Sequence, residues 1–224
     1  SFASDASSVE ISFSSDTDRA NNIAALGKIF QCELLMSFTD DQYHDCSWKS
    51  DKIITIRSRV STDMRLLQVN DKIYLKAYNI KAKYDSSLVP ASVVSTWSSV
   101  LATNVTVTVP VNSIEPTLIF SAPAILGDCS DLEMSLLSST GSGGRPWKSV
   151  SFTVTSRNFD FNSTQLEHFL NHDYNLNPVS VIPNSYMSFS GPHAAVNRSI
   201  IIYATLCNFL DSCGIASHSI TVDT

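Results

Sequence analysis

The sequence predicts an all-β fold arranged as two tandem antiparallel β-sandwich domains with one short helix. Three observations predict it. Apolar and polar side chains alternate with period two in Val9-Ile11-Phe13, Phe30-Cys32-Leu34-Met36, Val105-Val107-Val109 and Val150-Phe152-Val154, the pattern of strands with one buried face. Such runs recur roughly every 10–15 residues between Asn-Asp, Asp-Ser, Ser-Gly-Gly and Pro-Asn turn signals, the rhythm of sandwiches rather than of βαβ units with their intervening amphipathic helices. A stretch from Pro110 to Pro116 interrupts the pattern, and 224 residues accommodate a domain on either side of it, 1–112 and 113–224.

Composition limits the partners. Charged residues make up 16% of the chain against 43% apolar, with a formal net charge of -6 and no run of Lys or Arg. That leaves no electrostatic footprint for nucleic acid or an anionic membrane. No apolar stretch nears the roughly 20 residues that span a bilayer, so direct membrane insertion is not expected either. With no initiator Met and no signal peptide, the chain reads as processed or excised.

Along the chain, segments 53–60, 64–69, 72–82, 117–120, 131–137, 186–190 and 199–206 read as further strands, and Ile220-Val222 as the last. Thr164-Gln165-Leu166-Glu167 reads as a capping box, after which Leu166, Phe169 and Leu170 form an apolar stripe two helical turns long. A weaker helical turn is expected at 20–26, ended by Gly27. The Ser-rich stretch 85–103 reads as a long loop or irregular strand. Lys72, Lys76, Lys81 and Lys83 read as protection for sheet edges. By contrast, Val105–Val109 and Ser199–Leu206 carry no charge, which fits either buried central strands or edges open to strand addition from a neighbour.

Five cysteines, at 32, 46, 129, 207 and 213, form no CxxC pair, so structural zinc is not expected. Cys32 and Cys46 are the only two in the first domain and are expected to pair. Cys207 and Cys213 bracket a turn between two predicted strands and are preferred over Cys129 with Cys207; Cys129 is then free or left for an outside partner. N-x-[ST] sequons stand at Asn104, Asn162 and Asn197. Together with the cysteines and the low charge, they point to a secreted, oxidising compartment and to N-linked glycans.

Several constellations invite a chemical reading. His168 and His172 lie four apart on the predicted helix, yet the zinc-protease motif needs Glu directly after the first His, and Glu167 precedes it; solvated histidines are expected. Gly141-Ser-Gly-Gly-Arg145-Pro lacks the Lys-[ST] ending of a phosphate loop and reads as a tight turn, with Arg145 solvated or paired to a carboxylate. Asp16, Asp18 and Asn21 alternate oxygen ligands and are the calcium candidates, but the twelfth position is Gly27 where an EF-hand has Glu, so an Asx-rich turn is the default. Asp40, Asp41 and Asp45 form a second acidic loop of the same kind. Trp48 and Trp147 read as core. Trp147 falls between Cys129 and Cys207 in the Cys-Trp-Cys order of immunoglobulin domains, although Thr205 stands where those have Tyr. Trp97, in a polar stretch, is the candidate interface residue. No acid/base pair, activated nucleophile or metal cluster emerges, so neither an enzyme nor a cofactor is expected.

The run Ser121-Ala-Pro-Ala-Ile-Leu-Gly-Asp-Cys129-Ser-Asp-Leu132-Glu-Met-Ser135, with Ser138-Ser-Thr-Gly141-Ser-Gly-Gly-Arg145-Pro and Trp147, resembles the opening of an REJ (receptor for egg jelly) module. Tyr203-Ala-Thr-Leu-Cys-Asn208-Phe209-Leu210 resembles the closing stretch of the same module. Ile11-Ser-Phe13, Thr17-Asp-Arg19-Ala20-Asn21, Cys32, Cys46-Ser-Trp48 and residues 52–83 resemble the β module that often precedes REJ in polycystins and large protist surface proteins. Cys207 and Cys213 depart from the family, which usually shows no cysteine pair there. The resemblance implies extracellular sandwiches of immunoglobulin or fibronectin-III-like type that serve adhesion, sensing or surface structure without catalysis. The expectation is a glycosylated structural or adhesion subunit of a cell or ciliary surface. It polymerises through segment 1–13 or the inter-domain region, or joins neighbouring surface proteins; the alternative is a ligand- or glycan-binding receptor ectodomain.

Overall fold

A computed structural model describes residues 1–59, 66–85, 87–192 and 198–223. The protein is all-β, its sheets are largely antiparallel, and it divides into two compact units, Ser1–Ser113 and Ile114–Thr224.

In the first unit, β1 (Val9–Ser12), β2 (Ile29–Gln31), β4 (His44–Ser50) and β5 (Ile53–Ser58) form a sheet ordered β1-β5-β4-β2, while β3 (Met36–Ser37), β6 (Lys72–Leu75) and β7 (Thr103–Thr106) form a second ordered β3-β6-β7. Alternation buries Cys46 and Trp48 of β4 together with Ile54 and Ile56 of β5; the second sheet contributes Met36, Ile73 and Leu75, all at most 5% exposed. Cys46 Sγ lies 3.9 Å from Met36 Sδ, so the two inner faces share one dry layer. Each large side chain in it contributes about 1.5–3 kcal/mol by leaving water.

The expected strand through residues 30–36 is divided. β2 stops at Gln31, Cys32–Leu34 make a single 3-10 turn, and β3 begins at Met36 in the other sheet. Period two counts residues but is blind to a change of sheet. Val105–Val109 also shortens, because beyond Thr106 the ladder turns irregular: Val107 N–H donates to the Asp71 carbonyl (2.8 Å) while its own carbonyl accepts from Asn70 N–H (2.8 Å). The run 72–82 contracts to β6, and 85–103 holds a short helix at Ala91–Val94. Of the expected strand 64–69, residues 64 and 65 lie outside the described residues and 66–69 are not in a strand. The lysines do not guard edges. Lys72 stands in β6, the middle strand of its sheet; Lys76 donates to the Glu33 carbonyl and Lys81 to the Val94 carbonyl, and Lys83 pairs with Asp51.

In the second unit, β8 (Ile125–Gly127), β10 (Ser149–Ser156), β12 (Ser199–Cys207) and β13 (Cys213–Asp223) form a sheet ordered β10-β12-β13-β8, and β9 (Leu132–Glu133) pairs with β11 (Val181–Ile182). β8 runs parallel to β13, the one parallel pairing among the described strands. The uncharged run Ser199–Leu206 is the central strand β12: Ile200, Ile202, Ala204 and Leu206 are 0% exposed. Burial accounts for the lack of charge at those four positions; Tyr203, between them, is exposed. The expected strands 117–120, 131–137 and 186–190 reduce to the bridges Thr117–Thr140, Ser121–Ser135 and Phe161–Phe189, the two-residue β9 and a 3-10 turn at Asn184–Tyr186. Pro123 and Pro183 remove ladder donors in this region. Trp147 is half-buried at the margin of the core rather than inside it.

The helix spans Ser163–His172 and starts earlier than the capping box implies. Asn162 is the N-cap, its Oδ1 accepting from Gln165 N–H at 3.1 Å. Glu167 is drawn away to β10, where its Oε2 accepts from Val154 N–H at 2.9 Å. One turn on, Asn171 accepts from Phe152 N–H and donates to the Phe152 carbonyl, both at 2.9 Å. The helix thus covers the outer edge of β10 with side chains that imitate a further strand, while Leu166 and Leu170 enter the core.

Replacing Asn171 by Ala leaves both main-chain groups of Phe152 without their partners and should cost about 1–3 kcal/mol in urea-induced unfolding. A loss below about 0.5 kcal/mol, the range of an ordinary surface change, would show that water serves this edge equally well.

Candidate functional site

The calcium candidates fall beside the most unusual backbone of the first unit. The expected right-handed turn at 20–26 is instead a left-handed one: Arg19, Ala20, Asn21 and Asn22 have φ of 53°, 56°, 58° and 59°. For residues with a Cβ this conformation costs about 1–2 kcal/mol each, so side-chain bonds must hold it. Asp18 Oδ1 accepts from Ala20 N–H (3.0 Å) and from Lys81 N–H (2.9 Å). Thr17, 5% exposed, donates its hydroxyl to the Asp51 carbonyl at 2.7 Å. Arg19 donates to Asn22 Oδ1 at 2.6 Å and sets Nε 3.1 Å from Asp51 Oδ1. Asp51 Oδ2 receives Lys83 Nζ at 2.6 Å.

Between these groups and Tyr84 lies a polar hollow of about 210 Å³. The structure does not assemble Asp16, Asp18 and Asn21 into a cation cage. Asp18 is spent on main-chain amides, Asp16 is exposed, and the positive charge beside Asp51 comes from the chain's own Arg19 and Lys83. The hydrogen bond from Lys83, aided by its charge and that of Arg19, holds the Asp51 carboxyl below its ordinary value of 3.8. The second acidic loop is likewise divided: Asp45 pairs with Arg59 at 2.6 Å, and Asp41 opens a 3-10 turn.

A second cluster forms at one end of the other unit. β12 and β13 meet at Cys207 and Cys213, which are disulfide-bonded, and Cys32 is bonded to Cys46 in the first unit. Cys129 is free and exposed. Within the hairpin, Asn208 is 1% exposed. Its Oδ1 accepts from Leu210 N–H (3.0 Å) and Ser212 N–H (3.2 Å), and its Nδ2 donates to the Gly141 carbonyl (3.0 Å). Gly141 has φ +96°, and a Cβ there would stand 2.6 Å from Pro116 Cα. The expected tight turn thus serves as a latch for the hairpin. The Arg145 guanidinium lies 3.9 Å over the Phe209 ring. Sequence reasoning missed the role of Asn208. The available signal was an Asn opening a five-residue turn between two strands, where Asx side chains bond the amides ahead of them.

The remaining candidates stand apart. His168 and His172 stack with ring centroids 4.1 Å apart, and His172 Nδ1 lies 2.9 Å from the His168 carbonyl. Among the described residues, no group of three or more His, Cys, Asp or Glu side chains gathers to hold a metal. Trp97 is half-buried and meets Tyr84 edge-on at 6.2 Å, so it is less open than its polar neighbours suggest. Asn104, on β7, and Asn162 are exposed; Asn197 lies outside the described residues.

Two outcomes follow from these geometries. Because the folded pKa of Asp51 is depressed, its contribution is present above about pH 4 and is lost as the pH falls through the folded value. Asp51→Asn should therefore flatten part of the acid limb of a stability–pH profile taken from pH 6 to about 2; Asp5 and Asp85, lowered by Ser7 and Ser87, keep the rest. An unchanged acid limb would count against the Lys83–Asp51 contact. Asn208→Ala strands the Leu210 and Ser212 amides and the Gly141 carbonyl and should cost about 2–4 kcal/mol in thermal unfolding with the disulfide intact. Asn208→Asp keeps only the acceptor half and should fall between.

Comparison with protein-family models and with characterised proteins finds no match for this chain.

Proposed function

We propose that this chain is a non-enzymatic extracellular structural or adhesion module whose sheet faces pack against neighbouring copies or surface proteins. The observation that carries this reading is the outer face of the β10-β12-β13 sheet. Its cross-strand rows run Ser151–Thr205–Ile215 and Thr153–Tyr203–Ser217, a third row repeats the pattern, and none contains a charge. Ile215 is 71% exposed and Tyr203 38%. Hydroxyls and small apolar groups are far less costly to desolvate than ions, so a flat face of this kind suits burial against a partner better than permanent contact with water.

Three further features support the reading. The two disulfides fit an oxidising compartment. The segments that resemble the REJ opening and closing meet in space, Asn208 bonding Gly141 and Phe209 stacking under Arg145. At Asn162 the helix cap uses Oδ1, so a sugar on Nδ2 leaves the cap in place. A second reading, a ligand- or glycan-binding ectodomain, is favoured by the polar hollow beside Tyr84.

Protein secreted from a eukaryotic host should lose mass on enzymatic deglycosylation, and Asn162→Asp, which retains the cap, should remove one glycan without loss of stability. Negative-stain images should show ordered fibres or sheets. Dispersed particles that remain monomeric by light scattering at high micromolar concentration, and that bind a glycan array, would replace the first reading by the second.

A further inference from the structure

The sequon at Asn104 stands on the outer face of the β3-β6-β7 sheet, and the register of that sheet decides what lies beside it. Asn104 pairs with Tyr74 of the middle strand β6, and Tyr74 pairs on its other side with Ser37 of β3, so the three side chains form one row across the face. Two hydrogen bonds fix the type of each pairing. Lys76 N–H donates to the Leu35 carbonyl at 2.9 Å, which by alternation turns the main chain of Tyr74 toward β3; Val107 N–H donates to the Asp71 carbonyl at 2.8 Å, which gives the ladder between β6 and β7 to Ile73 and Val105. Tyr74 and Asn104 are therefore a non-hydrogen-bonded pair, the arrangement that brings opposite side chains closest, with Cα atoms about 4.5 Å apart.

β6 buries Ile73 and Leu75 and turns Lys72 and Tyr74 to water. An exposed lysine at such a place is ordinary. Tyr74, however, leaves 51% of its surface in water between a serine and an asparagine, both too short to cover its ring. Asn104 and Thr106, the two sequon residues that share this face, are both exposed, so a sugar on Asn104 Nδ2 leaves the buried face of the sheet untouched.

We propose that Tyr74 is a carbohydrate platform: the first sugar of an N-linked glycan on Asn104 lies with its apolar C–H face on the Tyr74 ring. The asparagine side chain is short and its glycosylated amide planar, which keeps the first sugar within reach of the residue opposite. One face of a pyranose presents C–H groups of weakly positive character, and the face of an aromatic ring is negative; the two attract while the sugar hydroxyls stay in water. The inference rests on the reading of this chain as an extracellular module that carries N-linked glycans. It makes the glycan part of the outer face of the sheet, supplying the cover for Tyr74 that Ser37 and the bare Asn104 do not.

The test uses the full chain secreted from a eukaryotic host, as wild type, Tyr74→Ala, Asn104→Gln and the double variant. Tyr74→Ala should lower the melting temperature by about 2–6 °C more in the glycosylated chain than in the Asn104→Gln background, the shift that one aromatic stacking contact produces in a unit of this size. Tyr74→Phe should keep the wild-type behaviour, because the ring and not its hydroxyl holds the sugar. Tyr74→Thr, which retains a strand-forming side chain, repeats the comparison without the ring. After an endoglycosidase trims the glycan to its first N-acetylglucosamine, the C–H proton resonances of that sugar should lie upfield under the Tyr74 ring current and return in Tyr74→Ala. Equal losses in the two backgrounds, or sugar resonances that Tyr74→Ala leaves in place, overturn the inference and leave the module reading standing; so does a chain glycosylated at Asn162 and not at Asn104. A secreted chain with no glycan at any sequon removes the glycosylated reading and the inference together.

Discussion

An open sheet carries along each outer strand a row of amides and carbonyls that the sheet itself cannot satisfy, and the rest of this structure is arranged around that requirement. In the second unit the answer is a helix. Its Asn171 and Glu167 take the place of a missing strand along β10, and the same helix sends Leu166 and Leu170 into the core. One element therefore closes an edge and completes a hydrophobic layer. In the first unit nothing equivalent covers β1 or β7 among the described residues; a fragment of strand from the same chain spans part of the interval.

The turns are fixed by local covalent and polar devices rather than by length or rigidity of the loops. Each unit has one disulfide, and each disulfide sits where the backbone changes direction between strands: Cys32 where the chain leaves one sheet for the other, Cys207 and Cys213 at the closed end of a hairpin. Asn208 supplies to that hairpin what the disulfide alone does not, namely partners for the turn amides and a tether to Gly141. The left-handed turn at Arg19–Asn22 is held in a similar way by Asp18, Thr17 and Asp51.

The all-β class and the long central strands were legible in the sequence because they rest on period-two burial, which is local. β12 and the edge strand β10 lie where a β-branched run and alternation place strands, whereas of β13 only Ile220-Val222 was legible; Ile200, Ile202 and Leu206 are buried. What was not legible depends on partners distant in sequence. Alternation through Cys32 and Leu34 continues across a change of sheet, and Thr164 was a plausible cap until Glu167 found a better partner 13 residues away. The four lysines resembled edge protection because nothing in the local pattern shows that β6 is a middle strand. The polar hollow was visible only as its acidic members; the cations that neutralise Asp51 come from Arg19, which lies within that run, and Lys83, which lies far beyond it.

The parallel pairing of β8 with β13 has a mechanical meaning. β8 lies near the beginning of the second unit and β13 at its end, with Ile125 opposite Thr221 and Gly127 opposite Asp223. Tension applied to the two ends of this unit draws the paired strands lengthwise past one another, so their hydrogen bonds bear load together in shear. A hairpin pulled open from its free end surrenders them one at a time. Once the bridges of Thr117 and Ser121 ahead of β8 have opened, this pair resists stretching along the chain direction.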